Sequence, residues 1–280
     1  MNVQFFFDVH CRSIQLDPTL HGVCAGFESG AWRAKQLSHY LMEWLPEFCL
    51  SFSEHESIKG TNAVSQLRAA AQTVYDTDKY DRRGEFGELL LHALLRETKQ
   101  TQLAISKIFF KDSVNNTVKG FDAIHVIDTP QGLELWLGEV KFYKDIGKAI
   151  SDVAAELEVH FKDDYLKKEF LLITRKLDPA WSGTPKLKEL LHRNTSLDKV
   201  VSTIVVPVLL AYESATTQAY TRACTEYTQK LEAELIQLHA RFKKANTVTR
   251  VRIELFLFPM SSKADLLDQL HKRLIAAQNI

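Results

Sequence analysis

Two strand-like apolar runs separated by a strong turn signal constrain this chain more than any other feature. Residues 121–128 and 133–143 flank Asp128-Thr129-Pro130-Gln131-Gly132, the composition of a hairpin connection. Pairing the runs sets Asp122, near the start of the first, beside Glu139 in the second. Side chains alternate along a strand, so Glu139 and Lys141 share one face and Val140 points into packing on the other. Two adjacent carboxylates repel each other unless a cation lies between them. Mg²⁺ suits such a pair, with Mn²⁺ as a substitute, because it is a hard cation that takes one or two carboxylates and completes its shell with water and phosphate. A lysine on the same face can position a water or stabilise charge growing on phosphorus.

Composition narrows the partners. Thirty-five Lys and Arg balance 35 Asp and Glu, giving a formal net charge of zero. Proteins that grip nucleic acid unaided carry a basic excess, because phosphate contacts dominate affinity. Any DNA grip here is therefore a local patch or is supplied by a partner. Lys107, Lys111, Lys119, Lys141, Lys144 and Lys148 surround the hairpin in sequence and are candidates for such a patch, although each taken singly reads more simply as a solvated side chain. Cys11, Cys24, Cys49 and Cys224 show no metal-ligand or redox spacing and read as free thiols. The opening Met1-Asn2-Val3-Gln4-Phe5 lacks the basic start of a signal peptide. The longest apolar stretch, 200–212, is too short to span a bilayer and is interrupted by Ser202, Thr203 and Pro207. The expectation is a cytoplasmic protein with no membrane segment.

Patterning predicts an α/β mixed sheet flanked by helices. In residues 1–75 it gives strands at 3–9 and 47–52 and helices at 31–44 and 63–75, with no catalytic constellation. That region is expected to be a mixed extension with a structural or partner-binding role. Downstream it gives a helix at 83–97, a strand at 103–110, the hairpin, a mostly helical 146–168 and a short strand at 170–174. Helices at 186–193, 217–244 and 263–277 and strands at 200–211 and 251–258 follow, and these two strands are expected to extend the same sheet. On the helix at 83–97, Glu85, Glu88 and His92 fall on one stripe. Gly87 would let the backbone before Glu88 approach its neighbour closely. The competing reading is a solvated helix start, where the dipole favours carboxylates. His92 reads as structural, and His125 lies on the opposite strand face from Asp122, so neither is assigned to the site. Tyr143 and Lys144 are also left unassigned.

Asp122 followed by Glu139-Val140-Lys141 resembles the PD-(D/E)xK nuclease superfamily. Arg82-Arg83-Gly84-Glu85-Phe86-Gly87-Glu88, Lys119-Gly120-Phe121-Asp122 and Gly138-Glu139-Val140-Lys141-Phe142-Tyr143-Lys144-Asp145-Ile146 together look like the HamA family, nuclease subunits of the bacterial Hachiman anti-phage system. The resemblance implies a restriction-endonuclease-like domain over 76–280, with 1–75 as its extension. It also implies a Mg²⁺-dependent DNA endonuclease in which Asp122, Glu139 and the Val140 carbonyl hold the metal and Lys141 positions the water. An acid from the first helix, Glu88 before Glu85, completes the site. The implied partner is a superfamily 2 helicase of the HamB type, in a heterodimer that restrains cutting until infection. Phe121 stands where the superfamily motif has proline, and no Gln-xxx-Tyr motif follows Lys141; the next helix offers Asp152, Glu156 and His160 instead. The alternative is a catalytically inactive, nuclease-fold binding or regulatory subunit. Retention of Asp122, Glu139 and Lys141 argues against it, because burying such a set without a cation costs several kcal/mol. A sugar hydrolase would call for an aromatic platform near the carboxylates, and none is evident.

Overall fold

The computed structural model describes residues 6–13, 15–75, 84–106, 108 and 120–280, and for 8–13 the backbone alone. Arg82, Arg83, Lys107, Lys111 and Lys119 lie outside the described residues, as does most of the strand expected at 3–9. The N-terminal part contains β1 (Asp8–Ser13), β2 (Thr19–Cys24), β3 (Phe27–Glu28), β4 (Ala31–Trp32), α1 (Ala34–Glu43), α2 (Leu45–Cys49), α3 (Phe52–Glu56) and α4 (Ala63–Val74). Next come α5 (Glu85–Lys99), β5 (Gln102–Ser106), β6 (Ala123–Thr129), β7 (Gly132–Phe142), α6 (Ile146–His160) and α7 (Asp163–Lys176). The chain closes with α8 (Thr184–Leu190), α9 (Leu197–Val201), β8 (Ile204–Glu213), α10 (Ala215–Ala219), α11 (Thr225–Ala245), β9 (Arg252–Met260) and α12 (Lys263–Gln278).

Among the described residues, seven strands form one mixed sheet in the order β1-β2-β9-β8-β7-β6-β5. The run β2-β9-β8-β7 is parallel, and the pairs at both ends are antiparallel. Parallel strands covered on both faces read as nearly unbroken apolar runs, which is how β8 and β9 appear. Their side chains divide strictly between two cores. Val205, Leu209 and Ala211 pack with Phe256 and Phe258 under α1, α2, α4, α5 and α12. Val206, Val208 and Leu210 pack with Leu255 and Leu257 under α6, α7 and α11. The result is helix, sheet, helix, with the late strands in the sheet as expected.

The expected boundary at residue 75 does not interrupt this core. β2 pairs with β9, and Leu37, Leu41, Phe48 and Val74 share a hydrophobic cluster with Phe86, Leu90 and Leu270. α5 is consequently sandwiched, with every residue from Glu85 to Leu95 buried.

Two expected strands are helices. Residues 47–52 span the end of α2 and the start of α3. Pro46 occupies the first turn of α2, where its missing N–H costs nothing, so it starts a helix as well as closing the one before. Residues 170–174 lie within α7. There Leu166, Phe170, Ile173 and Leu177 form the buried stripe at helical spacing, while Leu171 and Leu172 face outward; these two exposed leucines make the run look like a buried strand. Among the described residues no helix is long and apolar enough to cross a membrane.

Candidate active site

The β6–β7 hairpin forms in the expected register. Ala123 faces Gly138 in the end pair of the ladder, and Asp122 and Glu139 are the next residues outward on the two strands. The Asp122 amide donates to the Gly138 carbonyl at 2.8 Å, and the Val140 amide donates to Asp122 Oδ2 at 2.7 Å. Within a strand, the N–H and C=O of one residue point toward the same neighbour. The Val140 carbonyl is therefore directed toward the Asp122 side, just before the first residue of β6.

Close packing of α5 fixes this end of the sheet. A Cβ on Gly138 would stand 2.6 Å from Leu91 Cδ2, and one on Gly87 would stand 2.9 Å from Val140 Cγ1. The expected close approach at Gly87 is thus present, against the face of β7 opposite to Glu139 and Lys141. Glu85 and Glu88 are buried in the first turn of α5, at 7% and 8% exposure, and the solvated-helix reading fails on that count. Among the described residues no cluster of three or more His, Cys, Asp or Glu side chains is arranged to hold a metal. Asp122 and Glu139 sit close enough for the charge of one to raise the other, while Glu85 and Glu88 occupy the first turn of α5.

On the other face α6 supplies two groups. Asp145 caps this helix by accepting from the Lys148 amide. From its last turns, Glu156 pairs with Lys141 and His160 Nδ1 contacts Glu139 Oε1. The imidazole stacks on Tyr165 at 4.4 Å between centroids and meets Phe121 edge-on at 5.2 Å. The pattern of acids and histidine on this helix is visible in sequence, but their pairing with Glu139 and Lys141 is not, because it depends on how α6 crosses the sheet.

Electrostatics reflect the enclosure. Burial pushes Glu139 up to about 7, with the Asp122 charge adding and His160 opposing. Burial would lower Lys141, but the Glu156 hydrogen bond and the surrounding carboxylates raise it, so it is an ammonium at neutral pH. His160 is likewise raised against the effect of its own burial, chiefly by Glu139. The donor set, two adjacent carboxylates with a carbonyl directed alongside, consists of hard oxygens and suits Mg²⁺ or Mn²⁺.

The remaining sequence candidates have other surroundings. His92 Nδ1 lies 3.3 Å from His125 Nε2, His125 Nδ1 lies 2.7 Å from Thr101 Oγ1, and Trp44 and Phe48 pack on His92. Both histidines are buried on the α5 side of the sheet. Lys144 and Lys148 are exposed, and Lys148 Nζ lies over the Tyr143 ring. Cys24 and Cys49 are buried, and Cys24 Sγ lies 3.3 Å from the Tyr227 hydroxyl.

A mixed α/β sheet between helix layers, with two carboxylates and a lysine at the end of the β6–β7 hairpin, defines a protein of nuclease-like fold. The HamA family model matches residues 4–274. The chain belongs to the HamA family, a component of the Hachiman system, which associates it with anti-phage defence. No curated protein sequence gives a significant match.

Proposed function

We propose that this chain is the nuclease of a Hachiman defence complex and hydrolyses DNA phosphodiesters with a divalent cation held at Asp122 and Glu139. The observation that carries the reading is the placement of these two buried carboxylates at the open end of the hairpin, near enough to feel each other's charge, with Lys141 two residues from Glu139 on the same strand. When bound, Mg²⁺ would polarise the phosphoryl group and lower the pKa of a coordinated water. Asp122, Glu139 and the Val140 carbonyl would hold it. Lys141, as an ammonium, would orient the attacking water and stabilise the charge that develops as the new P–O bond forms and the ester P–O bond breaks. Glu88, or Glu85 in its place, would help hold the cation or its water. The neutral net charge favours DNA affinity borrowed from a partner, a superfamily 2 helicase of the HamB type, that holds the nuclease in check in a cytoplasmic heterodimer. The mixed N-terminal region is the proposed partner surface.

The test is protection of bacteria carrying both genes against phage. Lys141→Ala should abolish protection while both proteins accumulate and co-purify. Full protection by this variant would overturn the catalytic reading and favour the alternative of an inactive binding or regulatory subunit.

A further inference from the structure

We propose that His160 is the positioning residue of the cation site: it fixes the carboxylate of Glu139 in the orientation that a cation shared with Asp122 requires. The inference rests on the proposed cation-binding role of these two carboxylates.

Glu139 is 1% exposed, so its charged oxygens depend on protein partners. The terminal torsion of a glutamate is soft and roughly twofold, and without a fixed partner the carboxylate samples several orientations. His160 Nδ1 takes Oε1. A carboxylate only accepts, so an ionised Glu139 requires the proton on Nδ1. With Oε1 engaged, Oε2 becomes the oxygen available to a cation.

The imidazole is itself held on two sides. Tyr165 from α7 stacks on it with an interplanar angle of 18°, and Phe121 meets it at 69°. Phe121 immediately precedes Asp122 and is 2% exposed. One ring therefore contacts Glu139 directly and also packs on the segment that carries Asp122, which sets the two carboxylates relative to each other. Glu156, one helical turn earlier, holds Lys141 from the same helix face. Partners of this kind around metal ligands typically contribute ten- to a hundredfold in metal affinity.

Mn²⁺ titration of the full chain by calorimetry, in parallel with thermal melting, tests the assignment. Wild type should bind and Glu139→Ala should not. His160→Leu, which fills the space without a donor, should weaken binding by about ten- to a hundredfold. His160→Gln, which can donate an amide N–H to Oε1, should recover most of that loss at a similar melting temperature. A purely structural role for His160 predicts lowered melting in both variants with no rescue of affinity by Gln. If His160→Leu lowers the yield of folded protein, Tyr165→Leu carries the test: it keeps the imidazole, removes its stacking wall and should also weaken Mn²⁺ binding. Unchanged Mn²⁺ affinity in the folded variants, with binding still lost in Glu139→Ala, overturns the role of His160 and leaves the cation site standing. No Mn²⁺ binding by wild type overturns both.

Discussion

The amide of Val140 donates to Oδ2 of Asp122 at 2.7 Å, so the first carboxylate of the site is anchored to the strand that carries the second. Asp122 is thus a structural acceptor as well as a candidate ligand. Asp122→Ala leaves a buried amide without this partner and should destabilise the fold by about 1–3 kcal/mol. Asp122→Asn keeps a carbonyl acceptor and should lose less than about 1 kcal/mol, while removing the charge needed by a cation. Urea unfolding without divalent ions separates the two; equal stabilities would contradict the anchoring role.

The contact between α5 and β7 leaves no room at Gly138. A methyl group there would press on Leu91 Cδ2, which lies in a core with few voids. Gly138→Ala should cost about 1–3 kcal/mol by overpacking. Leu91→Ala alone should cost about 2–5 kcal/mol by opening a cavity. The double variant should be more stable than the sum of the two predicts, because each change relieves the other. Simple additivity in denaturant melts would show that the two positions do not press on each other.

The buried His92–His125 pair should make the fold acid-sensitive. Burial holds His92 well below its ordinary value of 6.5, with His125, Arg96 and His55 adding to the effect. Burial and Arg96 hold His125 down to about 3. The unfolded chain takes up these protons near pH 6.5 and the folded chain does not, so their contribution is intact above 6.5 and is lost as pH falls toward the folded values. Glu139, pushed up to about 7, works in the opposite direction, so the comparison is made by difference. His92→Leu should gain stability relative to wild type by on the order of 1 kcal/mol per pH unit below 6.5. A difference that does not change between pH 8 and pH 5.5 would contradict a neutral buried His92.

What was legible in the sequence followed local pattern. Turn chemistry at 128–132 and period-two alternation predicted the β6–β7 hairpin, with Glu139 and Lys141 two residues apart on β7. The same parity put His125 on the far side. Long periodic segments such as α4 and α12 also read directly. Two outcomes depended on tertiary neighbours. Leu171 and Leu172 are exposed, so an apolar run that looks buried belongs to a helix. Glu85 and Glu88 sit at a helix start that would normally be solvated, and the packing of α5 between the sheet on one side and α1 and α2 on the other buries that helix. Pairing of His160 with Glu139 lies beyond any local signal, because the two are brought together by the crossing of α6 over the sheet.

Removing residues 1–75 should therefore not leave a folded remainder. Glu97 on α5 accepts from the Phe7 amide at 3.2 Å and from the Tyr40 hydroxyl, and β2 pairs with β9. The 76–280 segment is expected to lack a cooperative melt and to aggregate. A sharp thermal transition for this fragment, with near-native circular dichroism, would show that the C-terminal part folds as a domain of its own.

The most direct measurement of the central claim is plasmid degradation by the chain co-purified with its proposed helicase partner, with Mg²⁺ and ATP. It compares wild type with Glu139→Ala and Lys141→Ala. The proposed chemistry predicts cutting by wild type, abolished by a chelator and lost in both variants while the complex remains intact. Cutting by both variants at the wild-type rate would contradict it.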